Sequence, residues 1–295
     1  IVDSLVGSEM CIRDRGIRKT VNYLISAKVD GLYITGSTGE TFLMSQEEKK
    51  QAIEIIVEEV NGRVPVIAHI GSIGTKITTE LGQYAEKIGV DALSALPPFY
   101  YGFSNDEIFN YYQDISNSTN LPITVYNISH AHLMDLDMLK RLASIKNVKG
   151  VKYTAPTHFN FSKIKKEIGI NFKIYSGMDE MSLSGLISGA DGIIGSFYNL
   201  MPELFVDIYA KIKEENINEA KKIQEKINII IMYALSKSGY PFIKMGLNWL
   251  DVDSGYVRKP FTTFVDKEIE NITKKDLKKL TDQNDLSGIK FLEKL

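Results

Sequence analysis

The stretch VPVIAHIGSIGTKITTELGQYAEKIGVDALSAL (64–96) contains one complete strand–helix–strand unit. Its two ends, VPVIAHI (64–70) and DALSAL (91–96), are short apolar runs, which is typical of strands that are covered on both faces. Residues 75–88 between them follow the spacing of an amphipathic helix. Two strands joined in this way by a helix form the basic unit of a parallel α/β fold.

The same alternation continues along the chain. Further apolar runs predict strands at 31–35, 122–128, 149–154, 173–176 and 192–195. Helical patterns are present at 45–60, 75–88, 104–118, 135–146, 159–168, 179–188 and 201–214. Units of this kind, repeated at roughly 20–30 residues, favour a (β/α)8 TIM barrel over an open doubly wound sheet. The Gly-rich phosphate or dinucleotide loops expected of an open sheet are absent from the sequence.

The N-terminal segment does not supply the eighth strand in this pattern. SLVGSEMCIRDR (4–15) has the pattern of neither a strand nor a helix, and it resembles translated sequencing-adapter read-through. We therefore expect the first strand to be missing or replaced; a divergent N-terminal arm is the alternative. An unfilled strand position would leave a costly open edge in the sheet.

The predicted organisation has three parts. Residues 1–15 are the atypical segment, residues 16–215 form the barrel, and residues 216–295 form a C-terminal helical appendage. Helices are predicted within the appendage at 218–239 and 266–293, without strands between them.

Composition excludes several classes of function. A net charge of -2 and 24% charged residues give no basic surface for nucleic acid. The single cysteine, Cys11, excludes an internal disulfide and a thiolate metal cluster, and the four histidines lack the spacing of a metal site. No apolar run approaches the ~20 residues that span a bilayer, and no secretory leader is apparent. A cytoplasmic protein without a metal or membrane partner is expected.

Lys152 lies in the predicted strand GVKYT (150–154). Side chains alternate along a strand, so Lys152 faces away from Val151 and Tyr153. Those two apolar neighbours suit the layer beneath the helices, which turns Lys152 toward the barrel interior near the carboxyl end of the strand. Barrel enzymes place catalytic groups at that end, and burial favours the neutral, nucleophilic amine. A lysine that reaches solvent or forms an ion pair is the alternative.

Two further features suit chemistry at the same end of the barrel. Tyr126 lies near the end of another predicted strand, and a phenol near an amine can relay protons to and from a substrate hydroxyl. The loop GSTGE (36–40) presents Ser37, Thr38 and backbone N–H groups that can bind a carboxylate. Taken singly, a core tyrosine and an ordinary strand-to-helix turn would explain both features.

Seven motifs together carry a resemblance to a known family. They are GSTGE (36–40), PPFYY (97–101), VYN (125–127), GVKYT (150–154), SGMDE (176–180), GIIGS (192–196) and GYVRKPF (255–261). In this order the chain resembles the dihydrodipicolinate synthase / N-acetylneuraminate lyase family of pyruvate-dependent class I aldolases. The resemblance covers about residues 16–264 and implies a Schiff-base enzyme that acts on pyruvate-containing substrates.

The resemblance also implies roles for individual residues. Lys152 forms an imine with the substrate keto carbon, Tyr126 transfers protons, and Tyr100 reaches into a neighbouring subunit's site in a homotetramer. The implied substrate-binding residues are Ser37, Thr38, Thr154, Gly177, Asp179, Glu180 and Ser196. No metal or organic cofactor is implied, because the imine itself acts as the electron sink.

Within the family, the chain resembles the lyases that cleave N-acetylneuraminate, a sialic acid, to N-acetylmannosamine and pyruvate. The carboxylate loop carries GST rather than GTT, and Tyr153-Thr154 follow Lys152 where the synthases have an acidic and a small residue. The arginine that the synthases carry after the YN motif is absent from Ser129–His132. That stretch departs from the lyases too, because their proline is missing; His130 and His132 are interpreted as surface residues.

Two alternatives remain open from the sequence. One is a dihydrodipicolinate synthase-like or other pyruvate-dependent aldolase that acts on a different sugar acid. The other is a non-catalytic homologue that binds a keto acid. The presence of both Lys152 and Tyr126 argues against the second alternative.

Overall fold

The computed structural model describes residues 2–3, 13–263 and 266–295. One sheet contains eight parallel strands in chain order. They are β1 (Val2–Asp3), β2 (Leu32–Ile34), β3 (Val66–His69), β4 (Ala92–Ala95), β5 (Ile123–Ile128), β6 (Val148–Thr154), β7 (Lys173–Ser176) and β8 (Gly192–Ile193). β1 lies beside the short 3-10 turn Phe197–Asn199 that follows β8, so the two ends of the strand order meet. The α/β barrel and all seven strands predicted after residue 30 are confirmed.

In the part of the chain that the structure describes, eight α-helices alternate with the strands, the eighth following β8, and three more come after the eighth. The first group is α1 (Asp14–Ser26), α2 (Gln46–Val60), α3 (Thr75–Ile88), α4 (Asn105–Ser118), α5 (Leu136–Ala143), α6 (Asn160–Glu167), α7 (Ser182–Ile187) and α8 (Pro202–Lys213). The second group is α9 (Ile217–Ser236), α10 (Gly239–Trp249) and α11 (Lys267–Gln283). These helices confirm the predicted C-terminal helical region, whereas the division of the chain at residue 216 stays a prediction.

Two residues of the atypical N-terminal segment occupy the position of the first strand, which agrees with a first strand that is replaced rather than missing. Val2 and Asp3 pair in parallel with Leu32 and Tyr33, where the first barrel strand belongs. A strand of two residues is too short to produce a periodic signal in the sequence. The rest of the interpretation of residues 1–15 concerns mainly residues 1 and 4–12, which lie outside the described residues.

Two helices were not predicted. α1 begins at Asp14, inside the segment judged to be irregular, and buries Ile17, Val21 and Leu24 along one stripe. α10 begins at Gly239 and has a proline in its first turn, where the missing N–H costs no helical hydrogen bond. The unusual composition around the start of α1 hid its apolar stripe. α10 buries the continuous run 241–247, so it has no amphipathic period to detect.

The sheet separates two apolar clusters. The larger cluster fills the space between the strands and the helices and includes Val151 and Tyr153. The smaller one lies on the other face of the strands, inside the barrel, and includes Tyr33, Ile67 and Tyr126. No helix in the described ranges combines the length and apolar character needed to cross a membrane.

Candidate active site

Lys152 lies inside the barrel, as the strand alternation predicts. Its side chain is 2% exposed, and its neighbours Val151 and Tyr153 pack outward under the helices. The Nζ atom lies 4.2 Å from the centre of the Tyr33 ring and 4.3 Å from the centre of the Tyr126 ring. Strand register places Tyr126 on β5 directly beside Lys152 on β6. The amine and the phenol ring therefore occupy one enclosed compartment.

Aromatic rings form the wall of that compartment. Tyr126 meets Tyr33 edge to face at 6.2 Å and His69 edge to face at 5.9 Å between ring centres. The Tyr33 hydroxyl donates to Ser94 Oγ at 3.0 Å, which fixes that ring. Edge-to-face packing with two fixed neighbours restricts the orientation of Tyr126.

His69 is a site residue that the sequence analysis did not identify. It is buried, its Nδ1–H donates to the Thr35 carbonyl at 3.2 Å, and its Nε2 accepts from Leu96 N at 3.4 Å. Burial, together with the charges of Lys49 and Lys152, lowers the pKa of His69 to about 3. The ring is therefore neutral at physiological pH. Ile67 and His69 lie two residues apart on β3, so their side chains point to the same face of the sheet. This spacing could have indicated the inward position of His69.

The loop GSTGE (36–40) meets the segment that follows β8. Thr38 is fully buried, and its Oγ1 lies 2.6 Å from Ser196 Oγ. The neighbouring Ser37 is partly exposed. Two predicted substrate-binding residues that are 158 positions apart in the chain are thus in direct contact.

A cavity of about 480 Å³ opens beside this contact. Its polar wall contains Thr154, Gly177, Asp179, Glu180 and Ser196, all of which were predicted to bind substrate. Its lining also contains apolar residues of α9 and α10, together with Phe261. A ligand with a row of hydroxyls on one side would find hydrogen-bonding groups on the polar wall.

Two glycines allow the polar wall to form. A Cβ atom at Gly177 would lie 2.0 Å from Thr154 Oγ1, and one at Gly195 would lie 1.8 Å from Asp179 Oδ1. Either side chain would displace a predicted substrate-binding group. Gly177 was predicted as a substrate contact, and the structure gives it this second, steric function.

Asp179 is the buried acid of the cavity. The Phe197 backbone N–H donates to its Oδ2 at 2.6 Å. Burial raises the pKa of Asp179 to about 7, against the opposing effects of this hydrogen bond and of Lys152. Glu180, the next residue, is exposed at the cavity rim. The two carboxylates therefore differ in environment although they are adjacent in sequence.

Comparison with known proteins agrees with this geometry. The model of the dihydrodipicolinate synthetase family matches residues 9–280. An N-acetylneuraminate lyase of Fusobacterium nucleatum is 39% identical over 262 residues, covering 88% of this chain and 90% of that protein. The chain belongs to the dihydrodipicolinate synthetase family.

Solved members of the family share the whole fold. CdNal of Clostridium difficile, solved in complex with mannosamine, is 35% identical with a TM-score of 0.90, covering 95% of this chain and 98% of that one. A catalytic lysine mutant of Ruminococcus gnavus sialic acid aldolase is 30% identical with a TM-score of 0.89, and the match covers 96% of this chain and 95% of that one. The Fusobacterium nucleatum relative is named as an N-acetylneuraminate lyase and the Ruminococcus gnavus protein as a sialic acid aldolase.

Three predicted residues lie away from the compartment. Tyr100 is on the loop after β4, is 84% exposed, and packs against Tyr101. His130 and His132 are exposed on the turn after β5, in agreement with their interpretation as surface residues. Asn127 holds this turn through two hydrogen bonds with the Met134 backbone, at 2.8 and 3.0 Å.

The most buried arginine of the described residues is engaged elsewhere. Arg258 is 7% exposed and donates to Glu48 Oε1 at 2.6 Å and to the Leu43 carbonyl at 3.3 Å. Its side chain is therefore bound to α2 and to the turn that precedes α2. This agrees with the absence of the synthase-type arginine from the stretch after Tyr126.

Proposed function

We propose that this chain is a class I aldolase that cleaves N-acetylneuraminate to N-acetylmannosamine and pyruvate. The observation that carries the proposal is the buried amine of Lys152, held 4.3 Å from the centre of the Tyr126 ring at the carboxyl end of the barrel strands. The sialic acid specificity of the family members described above supports the choice of substrate.

The chemistry begins with the lysine amine. In its deprotonated form the Nζ of Lys152 attacks C2 of the open-chain sugar acid. The Tyr126 phenol gives its proton to the departing hydroxyl, so that water leaves and a protonated imine and a tyrosine phenolate remain. Ser37, Thr38 and the loop backbone bind the adjacent carboxylate. The cationic imine then accepts the electron pair of the C3–C4 bond as that bond breaks.

Proton transfer completes the cycle. As the C3–C4 bond breaks, the C4 hydroxyl passes its proton toward Tyr126, and N-acetylmannosamine leaves with a new aldehyde group. The remaining enamine is protonated at C3, and water hydrolyses the imine to release pyruvate and the free lysine. The enzyme returns to its starting state without an external oxidant or reductant.

The cavity suits the polyhydroxyl end of this substrate. Thr154 Oγ1 is buried and lacks a hydrogen-bond partner among the described residues. A substrate hydroxyl would satisfy it, which would recover the free energy that an unpaired polar group costs. Asp179, Glu180 and Ser196 supply further acceptors along the same wall.

We further propose that the enzyme is a cytoplasmic homotetramer. The exposed Tyr100, whose backbone has a φ of 82°, supports this because a strained, projecting tyrosine suits insertion into a neighbouring subunit. Size-exclusion chromatography with light scattering of the parent and of Tyr100→Ala would test this part of the proposal.

The direct test measures the pyruvate released from N-acetylneuraminate with a coupled lactate dehydrogenase assay. The expected result is saturable turnover with that substrate and far lower turnover with sugar acids that lack the glycerol tail. Condensation of pyruvate with aspartate semialdehyde in place of sialic acid cleavage would instead assign the synthase activity.

Asp179→Asn is expected to separate sugar binding from imine formation. Loss of a buried charged acceptor should lower kcat/KM for N-acetylneuraminate by about 10- to 100-fold. Trapping of pyruvate on Lys152 by borohydride should change by less than about twofold, since that step does not require the sugar tail. Exposed Asp207→Asn is the matched control. Equal losses in both assays would contradict a role in sugar binding.

The raised pKa of Asp179 predicts a pH dependence of stability. The pKa rises from 3.8 in the unfolded chain to about 7 in the fold, so folding takes up a proton between these values. The resulting stabilisation is complete below pH 3.8 and is lost as the pH rises to about 7. Its full size is about 4 kcal/mol.

Asp179→Asn removes this pH dependence. The Tm of the variant relative to the parent is therefore expected to increase between pH 5 and pH 8, because only the parent then carries the buried charge. Differential scanning calorimetry at both pH values measures the difference. A Tm difference that stays constant with pH would contradict the raised pKa.

A further inference from the structure

A buried ion pair lies behind the carboxylate loop. Glu40 is the last residue of GSTGE (36–40), and its Oε1 lies 2.6 Å from the Nζ of Lys244 on α10. The exposed fractions of the two side chains are 0% and 2%. Neither residue lines the substrate cavity, and the aldol chemistry described above does not use either of them.

Further hydrogen bonds extend this pair into a connection between distant parts of the chain. The Arg258 backbone N–H donates to Glu40 Oε2 at 2.6 Å, and Lys244 Nζ donates to the Tyr256 carbonyl at 2.8 Å. Arg258 and Tyr256 belong to the segment GYVRKPF (255–261), which ends at Phe261 on the cavity wall. The ion pair therefore joins the carboxylate loop to α10 and to the segment that carries part of the cavity.

The backbone of Glu40 links this connection to the substrate-binding hydroxyls. Glu40 has a φ of 59°, a left-handed conformation that side chains other than glycine adopt only when their surroundings hold them. In this conformation its N–H donates to the Ser37 carbonyl at 3.0 Å, which closes the loop that presents Ser37 and Thr38. A shift of the Glu40 side chain would thus move both hydroxyls.

Stability alone is a weak reason for such a pair. Desolvation of two buried charges offsets much of their attraction, and apolar or neutral replacements of both partners are often as stable. The ion pair does, however, define one position for Glu40 relative to α10. Positioning accounts for its location directly behind the loop better than stabilisation does.

We propose that Glu40 and Lys244 are positioning residues for the aldol cleavage. Their ion pair fixes the position of the carboxylate-binding loop relative to α10, and it couples that loop to the segment that ends at Phe261 on the cavity wall. The proposal rests on the proposed function, because it assigns the Ser37–Thr38 loop to the substrate carboxylate.

The test uses Glu40→Gln, Lys244→Met and the double variant Glu40→Gln/Lys244→Met. Each single variant leaves one buried charge or dipole unpaired and should lower the Tm. The double variant removes both charges and should recover most of the lost Tm. The half-saturating pyruvate concentration for borohydride trapping on Lys152 should rise about tenfold or more in all three, with a smaller change in the maximal trapping rate.

A control lies in a partly buried ion pair, that of Lys165 and Asp191. Asp191 accepts from Lys165 Nζ at 2.5 Å and from Ile174 N at 2.8 Å, before β8 at the opposite end of the barrel. Asp191→Asn should lower the Tm and leave the half-saturating pyruvate concentration unchanged. A double Glu40/Lys244 variant that recovers stability and parental pyruvate saturation together would overturn the positioning role.

The same assay separates this proposal from the proposed function. Trapping uses pyruvate and does not need the sugar part of the substrate. Its pyruvate saturation therefore reports on the loop even if the parent does not cleave N-acetylneuraminate. Trapping without sialic acid cleavage would reject the substrate, and the saturation data would still support or reject the positioning role. A parent protein that never traps pyruvate would overturn both.

Discussion

Replacing Lys152 with Ala is expected to abolish pyruvate release, with a loss in kcat of about 10³-fold or more. The reason is that no other described lysine has its Nζ between the Tyr33 and Tyr126 rings, where the imine must form. Borohydride reduction in the presence of pyruvate should add one pyruvyl-derived mass to the parent protein. Peptide mass spectrometry should locate that mass at Lys152.

Lys149 provides the matched control for this experiment. It lies on the same strand, β6, but its side chain is exposed. Lys149→Ala should retain parental turnover and parental labelling. A Lys152→Ala variant that still releases pyruvate at the parental rate, or a label found on another lysine, would reject the Schiff-base assignment.

Tyr126→Phe is expected to lower kcat by about 10²- to 10⁴-fold, the usual contribution of a general acid–base group. The ring itself remains, so its edge-to-face contacts with Tyr33 and His69 should be kept. Imine formation in the variant should be slower, because the phenol that relays protons is lost, but Lys152 still supplies the attacking amine. Trapped pyruvate should therefore still accumulate after long incubation. Single-turnover cleavage of N-acetylneuraminate measures the chemical step.

Tyr112→Phe is the control for removing a buried phenol oxygen. Tyr112 on α4 is fully buried, and its hydroxyl donates to the Ala95 carbonyl at 2.7 Å. Its loss should lower the free energy of unfolding by about 1–3 kcal/mol without a comparable change in kcat. If Tyr126→Phe reduced stability to the same extent but left kcat intact, Tyr126 would be a structural residue only.

Short-range patterns predicted much of the fold and of the site. Alternation along GVKYT (150–154) placed Lys152 inside the barrel, and the helical pattern of 45–60 predicted α2, which begins at a capping box of Ser45 with Glu48. These predictions succeed because the period of a strand and the chemistry of a helix end depend on neighbouring residues alone. β1 was missed because it has only two residues, which is too few to show the alternation that predicts a strand.

Sequence patterns could not predict the surroundings of the chemical groups. Nothing in the local pattern of His69 indicates that its ring packs against Tyr126, which lies on a strand that is not its immediate neighbour in the sheet. The near-complete burial of Asp179 and its raised pKa likewise depend on Gly195 leaving room for the carboxylate. Such features arise from packing between segments.

The amino-acid sequence by itself determined the order of the seven strands after residue 30 and of most helices, the inward direction of Lys152, and the resemblance to a pyruvate-dependent aldolase family. Only the tertiary structure decided that Thr38 contacts Ser196 and that Glu40 pairs with Lys244. The physical reason is range: periodicity and capping act over a few residues, whereas these contacts join residues 158 and 204 positions apart. They exist only because the barrel and its C-terminal helices bring the loops together.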